Sequence, residues 1–120
     1  MRIIKLAVAA GIAGMMVMTS AQAQTTPKKE ETGKDIAYNK SKGNCLACHG
    51  MPTQPDAVST GLYGPPLIAM SARYPDKAKL RAKIWDATAS APNTAMPPFG
   101  KHKVLTEQEI DKVTDFIHSL

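Results

Sequence analysis

Aromatic residues are scarce in this chain, at 5%, and cysteine occurs only twice, at Cys45 and Cys48. A scaffold stapled by several disulfides is therefore excluded, and a bridge between these two would close too small a loop to stabilise much. No stretch alternates apolar and polar residues as a half-buried strand does, so a mainly α fold is expected. No apolar run reaches the roughly 20 residues needed to cross a bilayer. Charge is close to balanced as well. The formal +5 includes Arg2 and Lys5 in the N-terminal segment, and without them it falls to +3, which lends no support to nucleic-acid binding. So short a chain buries a limited fraction of its surface and needs added hydrophobic material.

What is present begins with a targeting pattern. Arg2 and Lys5 precede an uncharged stretch from Leu6 to Met18, and Ala21-Gln22-Ala23 supplies small residues where a signal peptidase reads. This is the layout of a secretory signal peptide over residues 1–23, which implies export to the periplasm and no stable membrane span after processing. Residues 24–32 are polar and charged and read as a flexible lead-in. Residues 33–120 remain for one domain.

Within it, a first helix is expected from about Gly33 to His49, loosened at Gly43-Asn44 before the cysteines, and a Pro-, Gly-, Thr- and Ser-rich loop over 51–66. A second helix is expected to start at Tyr74-Pro75-Asp76, since Pro and Asp suit a first turn, and to run to about Thr88. Leu80, Ile84 and Ala87 would be its inward stripe. Thr106 and Glu109 have the spacing of a capping box, flanked by Leu105 and Ile110 as a hydrophobic staple. Ile110, Val113, Ile117 and Leu120 then form one apolar face of a last helix.

Cys45-Leu46-Ala47-Cys48-His49 is the attachment sequence of a c-type haem. On a helical turn, positions i, i+3 and i+4 project to one side. Two thiols can then form thioethers with two vinyl groups of one porphyrin, with His49 as an axial imidazole. A thioredoxin-like pair would need a βαβ context. A structural zinc would need further ligands, and only His102 and His118 remain, far along the chain. One covalent haem c is the expected cofactor, and it would supply the hydrophobic material the chain lacks.

The iron's second axial ligand has three candidates. Met96 lies in the proline-stiffened A-M-P-P-F-G segment before the last helix and is preferred; Met70 can equally fill core space, and His102 is the third. Gly64-Pro65-Pro66-Leu67 offers backbone carbonyls with few N–H groups. That of Pro65 is the expected acceptor for the His49 ring N–H. Trp85 can pack near the haem, or serve as an ordinary core tryptophan. His102 and His118 read as surface residues, and Lys101-His102-Lys103 as a solvated loop that could border an acidic partner.

With C-L-A-C-H, G-P-P-L, A-M-P-P-F and L-T-E-Q-E-I in this order, the chain from Gly33 to Leu120 resembles class I cytochromes c, an all-α fold packed around one haem. It departs from them at Ser41, where an aromatic usually stands four residues before the first Cys; Tyr38 is the expected substitute. A narrower resemblance rests on G-N-C-L-A-C-H-G, G-P-P-L-I-A-M, R-Y-P-D-K-A-K-L-R-A-K-I-W-D and P-N-T-A-M-P-P-F-G-K-H. These look like the SoxX family, the small cytochrome subunit of bacterial thiosulfate-oxidising systems. That resemblance implies a larger cytochrome partner, SoxA, in an L-cysteine S-thiosulfotransferase that joins thiosulfate to a cysteine of a carrier protein. It carries the haem thioethers to Cys45 and Cys48 and the axial ligands to His49 and Met96.

Under this reading the chain relays electrons to a downstream acceptor and has no sulfur catalysis of its own, because both cysteines are committed to haem. A free-standing soluble carrier is the alternative, and a ligand-binding haem protein a weaker third.

Overall fold

The computed structural model describes residues 29–120, so the signal peptide expected over 1–23 lies outside the described residues. Thr32 opens helix α1 (Gly33–Tyr38): its hydroxyl accepts the Asp35 N–H, and the Asp35 carboxylate accepts the Thr32 N–H in return. Such a cap contributes about 1 kcal/mol. The helix is much shorter than the one expected to reach His49. Asn39 leaves helical geometry, Gly43 N–H turns back to the Ile36 carbonyl at 3.1 Å, and Asn44 is left-handed at φ 46°. A short 3-10 turn, Cys45–Ala47, follows.

Helix α2 (Met70–Arg73) is a single turn that the periodicity did not reveal. Helix α3 spans Lys77–Trp85, capped by Asp76, whose carboxylate accepts the Ala78 N–H at 2.9 Å. It stops before the expected Thr88 because Asp86 becomes extended and caps a new 3-10 turn, Ala87–Ala89. Helix α4 (Glu107–His118) carries the Thr106–Glu109 capping box read from the sequence. Ile110, Val113 and Ile117 are buried along one face of it, each worth about 1.5–3 kcal/mol. No strand occurs among the described residues, and the fold is that of a class I cytochrome c.

The α1–α4 crossing organises the rest. A Cβ on Gly33 would stand 2.0 Å from the Lys112 carbonyl oxygen, so the two backbones meet with no room for a side chain. Beside this contact, Tyr38 meets Phe116 edge-on, with centroids 6.3 Å apart and planes at 71°. That geometry is favourable for aromatic quadrupoles, and it places Tyr38 in the role expected for it. Around the crossing, Lys42 pairs with Glu31 and, at 2.6 Å, with Glu109, while Lys112 pairs with Glu30. Lys77–Asp115 and Arg81–Asp111, both at 2.6 Å, bridge α3 to α4. Exposed pairs of this kind each add at most about 1 kcal/mol.

Glu109 makes the fold acid-sensitive. Lys42, and then the Thr106 N–H, hold its carboxyl below the usual range. A carboxyl depressed in the folded state stabilises above its unfolded value and loses that contribution as pH falls through the folded one. Glu109→Gln is therefore expected to melt below the wild type at pH 7. The gap should narrow as pH falls below the ordinary glutamate value of about 4.3 and close once it is below the depressed folded value, where both side chains are neutral. Thermal melts across that range check this, and a constant gap would contradict it.

Candidate haem site

Left-handed Asn44 turns the chain into the Cys45–Ala47 segment, a conformation that asparagine tolerates better than most residues. The turn then closes on itself: the N–H groups of Cys48 and His49 both donate to the Cys45 carbonyl, at 3.2 and 2.9 Å. This coil brings Cys45, Cys48 and His49 to the wall of one cavity of about 600 Å³. Both cysteines are free thiols. Burial pushes the Cys45 thiol up to about 11, which is opposite to the depressed value a thioredoxin-like nucleophile requires.

His49 is held from behind. Its Nδ1–H donates to the Pro65 carbonyl at 2.7 Å, which leaves Nε2 as the unprotonated nitrogen with its lone pair available. Three backbone bonds of 2.8 Å hold the loop that supplies this acceptor: Gly61 to Leu46, Gly64 to Cys48 and Leu67 to Gly50. Gly64 itself lies against the imidazole, and a Cβ there would stand 2.4 Å from Cε1. Sequence reasoning did not single out this glycine, although its place before two prolines hints at a close backbone approach.

Met96 also lines the cavity and is half-buried. Its loop is pinned at both sides: Met96 N–H donates to Thr94 Oγ1 at 3.2 Å, and Gly100 N–H to the Trp85 carbonyl at 3.1 Å. Lys101 bonds Asp86 at 2.9 Å, and Thr88 and Lys101 together hold that carboxyl low. Met70 lines the cavity too, but its sulfur accepts from Arg73 Nη1 at 3.2 Å. Apolar walls come from Leu67, Leu80, Ile84, Phe99, Val113 and Ile117.

Trp85 is not in the lining. Its ring packs on Gly100, where a Cβ would meet it at 2.1 Å, and the Arg81 guanidinium lies 5.7 Å above it. The ring is half-buried and packs against the core. His102 is exposed, as expected, whereas His118 is half-buried and its Nε2–H donates to the Tyr74 carbonyl at 3.0 Å.

The donor set and the space fit a haem. Two thiols, an imidazole with one nitrogen free and a thioether surround an apolar cavity within the roughly 300–1,000 Å³ of small-molecule sites.

A helical fold closed around such a cavity, with Cys-x-x-Cys-His on its wall, defines a c-type cytochrome domain. The chain belongs to the family described as "Cytochrome C oxidase, cbb3-type, subunit III", whose model matches residues 29–117. It is SoxX-like: it resembles the crystal structure of SoxXA from P. pantotrophus with a TM-score of 0.66 and 26% identity, over 82% of this chain and 87% of that one. A curated relative, an uncharacterized lipoprotein of Aquifex aeolicus, is 31% identical over 77 residues, or 64% of this chain. The chain spans only 36% of that relative's length. Among the described residues no helix is long and apolar enough to cross a membrane.

Proposed function

We propose that this is the exported, monohaem electron-relay subunit of a periplasmic complex that joins thiosulfate to a carrier-protein cysteine. The observation that carries the reading is one cavity bordered by Cys45, Cys48, the Pro65-oriented His49 and Met96, in a chain that resembles SoxXA. Cys45 and Cys48 would hold one haem c through thioethers, and His49 Nε2 and the Met96 sulfur would be the axial ligands. Haem, when bound, supplies a one-electron couple. The chain's own residues orient the imidazole, close the apolar wall and keep a thioether within a stiffened loop.

Joining a thiol to thiosulfate makes one S–S bond and releases two electrons and one proton. With both cysteines committed to haem, this chain has no thiol to carry the sulfur substrate. It would receive the electrons singly from a larger cytochrome partner of the SoxA kind and pass them to a downstream acceptor. Residues 1–23 would direct export.

The exported protein is expected to be heavier than its polypeptide by one haem, retained through acid–organic extraction. Cys45→Ser with Cys48→Ser should lose it, and extraction of haem from the wild type would overturn covalent attachment. Alone, the haem-loaded chain should be reducible without coupling thiosulfate to a thiol, and coupling should appear with the larger cytochrome. Full turnover by the isolated chain would overturn the relay role.

A further inference from the structure

The segment that carries Met96 leaves the fold and rejoins it at a single carboxylate. It departs from the 3-10 turn Ala87–Ala89 and returns at Lys101, and Asp86 holds both ends. On the departing side, Asp86 Oδ1 accepts the Thr88 N–H at 3.0 Å and the Thr88 hydroxyl as well. On the returning side, its Oδ2 accepts from Lys101 Nζ at 2.9 Å. No other side chain among the described residues hydrogen-bonds to both ends. At 14% exposed, Asp86 is also the most buried carboxylate in any ion pair among those residues.

Between the two ends little else fastens the segment. Within residues 92–97 the hydrogen bonds are local: Thr94 N–H donates to the Ala91 carbonyl at 3.0 Å, and Met96 N–H to Thr94 Oγ1. Pro92, Pro97 and Pro98 have no N–H to offer and fix their own φ. A stretch so stiffened and so lightly tied swings as one piece, and such elements open at lower free energy than packed helices. Closure is therefore decided at the base. There the buried Phe99 and the Trp85 carbonyl, which takes the Gly100 and Lys101 N–H groups, act beside Asp86.

We infer that Asp86 is a positioning residue for Met96: one oxygen on Thr88 and the other on Lys101 keep the methionine loop shut, and this clasp sets how readily a small nitrogen ligand displaces the thioether. The inference rests on the haem and the Met96 ligation proposed above. An added ligand competes with the closed loop, so its apparent affinity is its intrinsic affinity multiplied by the open fraction. Loosening the clasp raises that fraction, and the affinity rises by the same factor. A mere cap on the 3-10 turn predicts otherwise, because asparagine caps as well as aspartate. Asp86→Asn keeps the acceptor for Thr88 and gives up the charge that faces Lys101.

The test titrates the ferric, haem-loaded chain with imidazole at pH 7 and about 0.15 M ionic strength, read by loss of the methionine-to-iron absorption in the near infrared. Asp86→Asn, and separately Lys101→Gln, should raise the imidazole affinity on the order of fivefold, the upper end for an ion pair with one exposed partner. The two together should do no more than either alone, because they remove one interaction. Lys103→Gln removes the same charge from an exposed lysine two residues away, and it should leave the affinity within about twofold. Far-ultraviolet spectra should be the same for all four variants. Wild-type affinity in both single variants, or full additivity in the double, would overturn the clasp while leaving Met96 as the ligand. Imidazole binding that Met96→Ala fails to strengthen would overturn the ligation and the clasp with it.

Discussion

Met96→Ala is expected to abolish the weak near-infrared sulfur-to-ferric-iron absorption of the haem-loaded protein and to lower its reduction potential, because a thioether ligand favours the ferrous state. The fall should be on the order of 0.1 V, within the roughly 0.8 V that axial ligands span. Met70 is the informative control. It is 2% exposed and its sulfur is already engaged by Arg73, so it belongs to the core and to that hydrogen bond. Met70→Ala should leave the band in place and cost about 2–5 kcal/mol of stability, as truncation of a buried methionine does. Met96 is half-buried in a loop, and its truncation should cost less. The two variants thus separate in opposite directions on spectrum and on melting temperature. The reverse pattern would assign the ligand to Met70.

Gly33→Ala should be the most damaging single methyl group that can be added to α1. The new Cβ would fall 2.0 Å from the Lys112 carbonyl oxygen and 2.6 Å from its carbon, and backbone cannot swing aside as a side-chain tip can. Overpacking typically costs about 1–3 kcal/mol, and the upper end applies where the obstruction is backbone. For a domain of this size that is a fall of roughly 10–20 °C in Tm. Gly50→Ala is the matched control, because its Cβ would meet only Thr60 Oγ1, at 3.7 Å. It should stay within about 0.5 kcal/mol of the wild type. Equal melting temperatures for the two variants would show that the α1–α4 contact is looser than its geometry indicates.

Features written in local chemistry could be read directly from the sequence. Thr106 and Glu109 specify their cap within four residues, and the α4 stripe needs only a period. The Pro65 carbonyl was visible as an acceptor because proline removes competing donors, and it lies 2.7 Å from His49. The length of the first helix was not legible in the same way. Gly43-Asn44 marked a loosening before the cysteines, but the earlier exit at Asn39 and the return of Gly43 to Ile36 were not visible. Gly33 against Lys112, Gly64 against His49 and Arg73 on the Met70 sulfur were equally hidden. Each depends on where separate segments come to rest together. The partner of Trp85 was hidden for a related reason: Gly100 reaches it from the far side of the Met96 loop.

That packing gives the protein a built-in optical reporter. Trp85 is the sole tryptophan in the chain, and its carbonyl accepts from both Gly100 and Lys101 where the methionine-bearing loop returns to α3. Its fluorescence therefore watches this seam, while Tyr38 and Phe116 sit at the separate crossing of the terminal helices. Elements held by few apolar contacts open at lower free energy than a packed helix pair. On titration with denaturant, tryptophan emission should change before far-ultraviolet ellipticity is lost, so the unfastening of the loop can be timed apart from the unfolding of the helices.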